Sequence, residues 1–404
     1  MKKNLTMDKM NPIQIKAYYG DALKSRTVVI DVNNMTLSTT IDTKGKGHYS
    51  VNQAGTLKKV YVDTRKSNFL EVINAQTNKQ EGFIKLKHNP RSSEAYNTSL
   101  GLQLVSGRDK VMISLIDVKT DTVVASVGEE ILDPSNQDYG GSNATGHPFW
   151  FSNSEFALID RPNRKIHVYT VSQNQSKWNV ALAYTISTPT AVHHFIRTTD
   201  DNVFYAIAEG AKGKNLAPIV IKYERTICNT YNEVKCVPLS KGINIDNLGS
   251  HHINMHPDGN HIYIGSTEGN LYVLDTRKME ILGTIAVGKG AGHSTFVPER
   301  NLAIVTNHKD TFISIIDTEK HTLIKNVKVS EAQKNGTILQ SHTSFVNPEF
   351  SHFYAYATDN GIFYEFDLET LEVSRTLHTG GTPLQGVFLC DDLRCPNADA
   401  MDMM

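Results

Sequence analysis

The feature that most constrains this chain is a repeat. Residues 249–276 read GSHHINMHPDGNHIYIGSTEGNLYVLDT: a histidine doublet, a short strand, a Pro-Asp-Gly-Asn turn, an alternating strand, a second turn and a third strand ending in Leu-Asp-Thr. The arrangement recurs where GHSTFVPE (292–299) leads to LAIVTNHKDTFISIIDT, and where SHTSFVNPE (341–349) leads to HFYAYATDNGIFYEFDLET. A period of about 40–50 residues with several strands per repeat is the signature of a β-propeller, one blade per repeat. The fold expected is therefore all-β, a single propeller.

The chain in order supports that count. Residues 15–41 hold three strands separated by turn residues, a blade without its first strand. TPLQGVFL, at 382–389, is expected to supply the missing strand and close the ring, removing the sheet edges that invite aggregation. Complete repeats follow at 47–86, 88–127, 147–186, 193–239 and from His251, His293 and His342. This makes eight blades, or seven if the irregular His88 segment is not one. The expected organisation is an N-terminal arm over 1–14, a propeller over 15–390 and a C-terminal tail over 391–404. Residues 128–146, rich in Gly, Asn, Ser and Asp, read as a long functional loop on one face.

Composition excludes some classes of function. Among 404 residues the net charge is −1, so no basic field exists to hold nucleic acid by its phosphates. No apolar run reaches the roughly 18 residues of a membrane span. Four cysteines form two local pairs, Cys228 with Cys236 and Cys390 with Cys395, spaced for two small disulfides. That points to a periplasmic or secreted location over a cytoplasmic one, although no apolar signal segment follows the charged start.

The chemistry is expected from the sixteen histidines. His48, His88, His147, His194, His252, His293 and His342 each precede the second strand of their repeat by a similar interval, and His193 and His251 complete doublets in register. The first strand of a blade lines the central channel. A residue at one point on it appears once per blade, facing the axis, so these nine histidines are the candidate metal ligands. Neutral imidazole suits copper, zinc, iron or nickel. Against this stands the histidine of many propellers that bonds within its own blade. Polar residues after the second strand also recur, at Asp63, Asp160, Glu209, Asn307 and Asp359. Turn chemistry accounts for them, with Glu209 kept as a candidate catalytic acid or base. His256, His261, His308, His321, His352 and His378 break the pattern and are assigned to turns or the surface. No nucleophile elbow, phosphate loop or HExxH helix is present.

The segments VVIDVNNMTLSTTI, LYVLDTRKMEILGTIAVG and ISIIDTEKHTLIKNVKV resemble the repeats named after the Tyr-Val-Thr-Asn tetrapeptide, found in bacterial and archaeal surface proteins and in the haem d1 domain of cytochrome cd1 nitrite reductase. The histidine series is similar to that of the copper propellers of nitrous oxide reductase and thiocyanate dehydrogenase. No cupredoxin domain and no CxxCH motif accompany it. These resemblances imply copper, with haem d1 or zinc as alternatives. They imply redox chemistry on a small inorganic substrate, with an electron-transfer protein as partner. The other functions open at this point are a non-catalytic metal or haem d1 carrier or maturation protein, and a protein- or glycan-binding scaffold with structural histidines.

Overall fold

The computed structural model describes residues 13–390 apart from 43, 57, 130–142, 176, 199, 201, 211–216 and 240–251. Residues 1–12 of the N-terminal arm, residues 130–142 of the 128–146 loop, His251, Cys395 and the C-terminal tail therefore lie outside the described residues.

Eight antiparallel sheets form the ring, each of four strands except the third, which carries one extra short strand. The first blade comprises residues 15–42 and the closing strand; the others span 48–85, 90–129, 149–187, 192–238, 252–286, 291–328 and 340–378. The His88 segment is thus a separate blade. The closing strand Pro383–Cys390 pairs antiparallel with Ile15–Asp21, in the register Ile15↔Cys390 and Tyr18↔Val387. Apart from two single turns of 3-10 helix, Pro298–Arg300 and Thr358–Asn360, the described residues hold no helix. None is long and apolar enough to cross a membrane.

Two local rules build each blade. The Asp of the Leu-Asp-Thr signature turns the third strand into the fourth. Asp117, Asp275, Asp317 and Asp367 each accept two backbone N–H bonds through Oδ1 from residues two and three further on. The last residue of each such hairpin turn is left-handed: Asp121, Met279, His321 and Leu371 have φ of 52–56°. The second rule is burial. Inner strands such as Leu102–Gly107 are wholly buried, whereas outer strands such as Glu372–His378 alternate towards solvent.

Apolar residues from adjacent blades mesh in eight clusters, one at each junction of the ring. Tyrosines tie neighbours further. Tyr18 donates to Asn78 Oδ1 (2.5 Å) and Tyr61 to Asp121 Oδ1 (2.5 Å), each reaching a left-handed turn residue of the next blade. Closure is supported by Val387 and Phe388, both buried, each contributing about 1.5–3 kcal/mol.

The expected disulfide between Cys228 and Cys236 is not formed: both are free thiols. Cys228 sits in the hairpin turn, while Cys236 lies five residues down the strand Tyr231–Pro238, opposite Ile221. At about 3.3 Å per residue the strand carries it beyond the roughly 7 Å Cα separation that a disulfide tolerates. Its thiol instead donates to Glu233 (2.9 Å).

Candidate metal centre in the central cavity

The inner strands enclose a cavity of about 480 Å³ on the channel axis. Its walls include His147, His193, His194, His252, His293, His342 and Glu209. The histidines meet in two corners instead of one ring.

The first corner comes from the sixth, seventh and eighth blades. His252, His293 and His342 offer ligand atoms that all lie within 4.8 Å of one another. His252 Nδ1 is 2.9 Å from His293 Nε2. A fourth imidazole joins them: His308 Nε2 is 3.1 Å from His252 Nε2, and its ring centre is 4.4 Å from that of His342. His308 Nδ1 donates to the Gln340 carbonyl (3.0 Å), which fixes the tautomer and leaves the Nε2 lone pair facing the group. That is the support a metal-binding imidazole requires. Gly292 makes room for it, since a Cβ there would lie 2.3 Å from His308 Nε2.

The second corner comes from the second to fifth blades and is charged. His193 Nε2 accepts from Arg91 (2.9 Å), and its Nδ1 is 3.1 Å from His194 Nδ1. His147 Nδ1 is 2.5 Å from Glu94 Oε1. Burial pushes the Glu94 carboxyl up to about 7, against the opposing pull of Arg91. Burial, then the neighbouring Arg161 and Arg65, hold the Arg91 guanidinium well below its ordinary value. Glu209 is gripped by Arg161 and stands 3.7 Å from His193 Nε2. Arg65 stacks on Tyr49, 3.0 Å from the ring centre. Arg91 Nε and Glu94 Oε2 are buried without a hydrogen-bond partner among the described residues, so this corner holds polar capacity that those residues do not use.

His48 and His88 do not line the cavity. His48 Nε2 faces Glu71 (3.3 Å) inside its own blade, both side chains fully buried. Its neighbour Tyr49 takes the channel position, because one step along a strand changes the face. His88 bonds to the Asn89 carbonyl and to Ser114 Oγ (3.0 Å), and Arg91 lines the cavity in its blade. His251 lies outside the described residues.

Sequence reasoning missed His308 and the arginines. Their signal was present: Arg65, Arg161, Glu209 and His308 each immediately follow the second strand of a blade. Of the recurrent polar residues read as turn formers, Asp160 accepts from the Asn163 amide three residues on, as turn chemistry requires, whereas Asp359 accepts from the distant amides of Asn335 and Thr337 and Asn307 Nδ2 donates to the Phe312 carbonyl and Ser314 Oγ. Asp63 also does otherwise: it is buried beneath Ser50 and Asn52, and burial raises its carboxyl to about 6.

No protein-family model and no curated protein matches the chain. Solved structures match at low identity. Dihydro-haem d1 dehydrogenase NirN, in complex with DHE, is 13% identical over 94% of this chain and 76% of its own, with a TM-score of 0.69. AztD from Citrobacter koseri is 12% identical over 94% and 99%, with a TM-score of 0.62. The periplasmic gluconolactonase PpgL of Pseudomonas aeruginosa is 12% identical over 78% and 95%, with a TM-score of 0.60. The likeness is one of fold. At such identity chemistry has to be argued from the cavity.

Proposed function

We propose that residues 15–390 form one exported, copper-binding unit whose central cavity supports redox chemistry on a small inorganic substrate. The observation that carries this reading is the convergence of His252, His293 and His342, with ligand atoms within 4.8 Å of one another. These three, with His308, would hold the metal; when bound, copper supplies a Lewis acid and a site for electron exchange. The chain's own residues do the rest. His308 keeps its lone pair inward through its bond to Gln340. Arg65 and Arg91 attract an anion into the opposite corner, and the aromatic walls of Tyr96, Phe149 and Trp150 limit water there. Glu94, with a carboxyl near 7, exchanges a proton through His147 at neutral pH. Glu209 positions His193 and Arg161. His147, His193 and His194 serve the substrate corner or a second ion. A soluble electron carrier is the partner implied.

A second reading is favoured by the pairing of histidines with arginines in one cavity and by the fold shared with NirN: a carrier of a haem d1-type tetrapyrrole, with Arg65 and Arg91 on its carboxylates.

Metal analysis with an absorption spectrum on untagged protein tests both. At least about one equivalent of copper that survives dialysis supports the first reading. A pigment extracted by acid acetone supports the second. Retention of neither copper nor pigment after loading overturns both.

A further inference from the structure

His256, Asp258 and His261 belong to the turn joining the first two strands of the sixth blade, His252–Met255 and His261–Gly265. His252 begins the first strand and faces the channel. Four residues later, at about 3.3 Å each, His256 stands about 13 Å away, towards the opposite rim of the ring. The turn is rigid: His256 N–H donates to the His261 carbonyl (2.9 Å), Gly259 N–H donates to the His256 carbonyl (2.9 Å), and Gly259 has φ of 67°.

The Asp258 carboxylate lies between the two imidazoles. Oδ1 is 3.0 Å from His256 Nδ1, and Oδ2 is 2.6 Å from His261 Nδ1. Ligand atoms of the three residues all lie within 4.8 Å of one another. The next blade walls the site with Phe296, 5.2 Å from the His256 ring, and with His321, whose ring is 4.8 Å from that of His261 and is held by Tyr263 OH (2.7 Å).

Turn chemistry explains part of this, since Asp258 Oδ1 accepts from Asn260 N–H (2.8 Å) and His261 N–H (3.1 Å). It leaves two facts unexplained. His256 is nine-tenths buried, and its Nε2 has no hydrogen-bond partner among the described residues. Its Nδ1 meets the Asp258 N–H (3.2 Å), which needs a lone pair, and the Asp258 carboxylate, which needs a proton. One nitrogen cannot meet both demands; a cation on Nδ1 would take the lone pair in place of the long Asp258 N–H contact and would satisfy the carboxylate without a proton.

We propose that His256, Asp258 and His261 bind a divalent transition-metal ion of the zinc class, with an open position towards His321. Two imidazoles and a carboxylate are a donor set of that class. The site is separate from the channel and holds whether or not the channel carries copper.

Zinc titration of the full chain by calorimetry tests it, comparing wild type with Asp258→Asn and His261→Ala. The carboxamide introduced by Asp258→Asn keeps an oxygen for the turn amides, so that variant is expected to fold even if the alanine variant does not. The expected result is the loss of one zinc site, or a weakening of at least about 10-fold. A His252→Ala/His293→Ala protein should keep that site, with a tetrahedral visible spectrum when cobalt replaces zinc. Wild-type zinc stoichiometry and affinity in folded Asp258→Asn would overturn the proposal.

Discussion

Replacing His252 by alanine should separate a metal-binding histidine from a structural one. His252 is the hub of its corner. Its ring centre lies 4.2 Å from that of His293, 4.9 Å from that of His308 and 5.4 Å from that of His342. Without it, the rings of His293 and His342 stand 6.4 Å apart and the bridge that His252 makes between His293 and His308 is lost. Outer-shell changes at metal sites cost about 10–100-fold in affinity, so loss of this ligand should weaken copper binding by at least about 100-fold. In metal-free protein His252→Ala removes two ring–ring contacts, at 2.9 and 3.1 Å. At about 1 kcal/mol each that is about 2 kcal/mol of stability. The comparison is His88→Ala, which also removes two hydrogen bonds, to Asn89 and Ser114. Both variants should lose similar stability in urea, but only His252→Ala should lose copper in a competition titration with a chelator. Wild-type copper affinity in His252→Ala, or equal loss in His88→Ala, would refute the assignment.

Gly292→Ala should lower copper affinity by about 10-fold with little change in unfolding midpoint, because its Cβ displaces His308; the same chelator competition reads this. Tyr61→Phe should cost about 1–2 kcal/mol in urea unfolding, since Asp121 loses an interblade bond. Asp63 has its folded-state carboxyl raised from 3.8 to about 6 by burial, so the folded protein holds an extra proton between those values. Its contribution is fullest below about pH 4 and declines as pH rises through about 6, by about 3 kcal/mol; Asp63→Asn should flatten that part of the stability–pH curve. Alkylation without reductant should label both Cys228 and Cys236, read by peptide mass.

The propeller was legible because its rules are local. Aspartate at the turn and alternation along the strands appear within a few residues of each other; the strand missing at one end is the single long-range signal, and Ile15–Asp21 found its partner in Pro383–Cys390 as it required. The cavity was legible only in part. His147, His194, His252, His293 and His342 follow the period and line the cavity. His48 and His88 follow it too, yet a single step along the strand presents Tyr49, and in the next blade Arg91 takes the channel position. A period locates a residue along the chain; it does not give the direction of its side chain. His308 escaped notice because it belongs to a different series, set by the ends of the second strands. The charged corner escaped because a search for nitrogen ligands passes over Arg65, Arg91 and Arg161.

Closure by residues 383–390 has a bearing on when the protein acquires whatever it holds. Gln385, on that strand, is part of the cavity wall. During synthesis the imidazoles of His252, His293 and His342 are made before this last staple exists. A nascent chain therefore passes through a stage in which these imidazoles are present but the cavity wall is incomplete on one side. On the proposed function, the cavity that would hold an ion is complete only when residues 383–390 pair with Ile15–Asp21, so the metal supply of the compartment in which that pairing occurs would select the occupant.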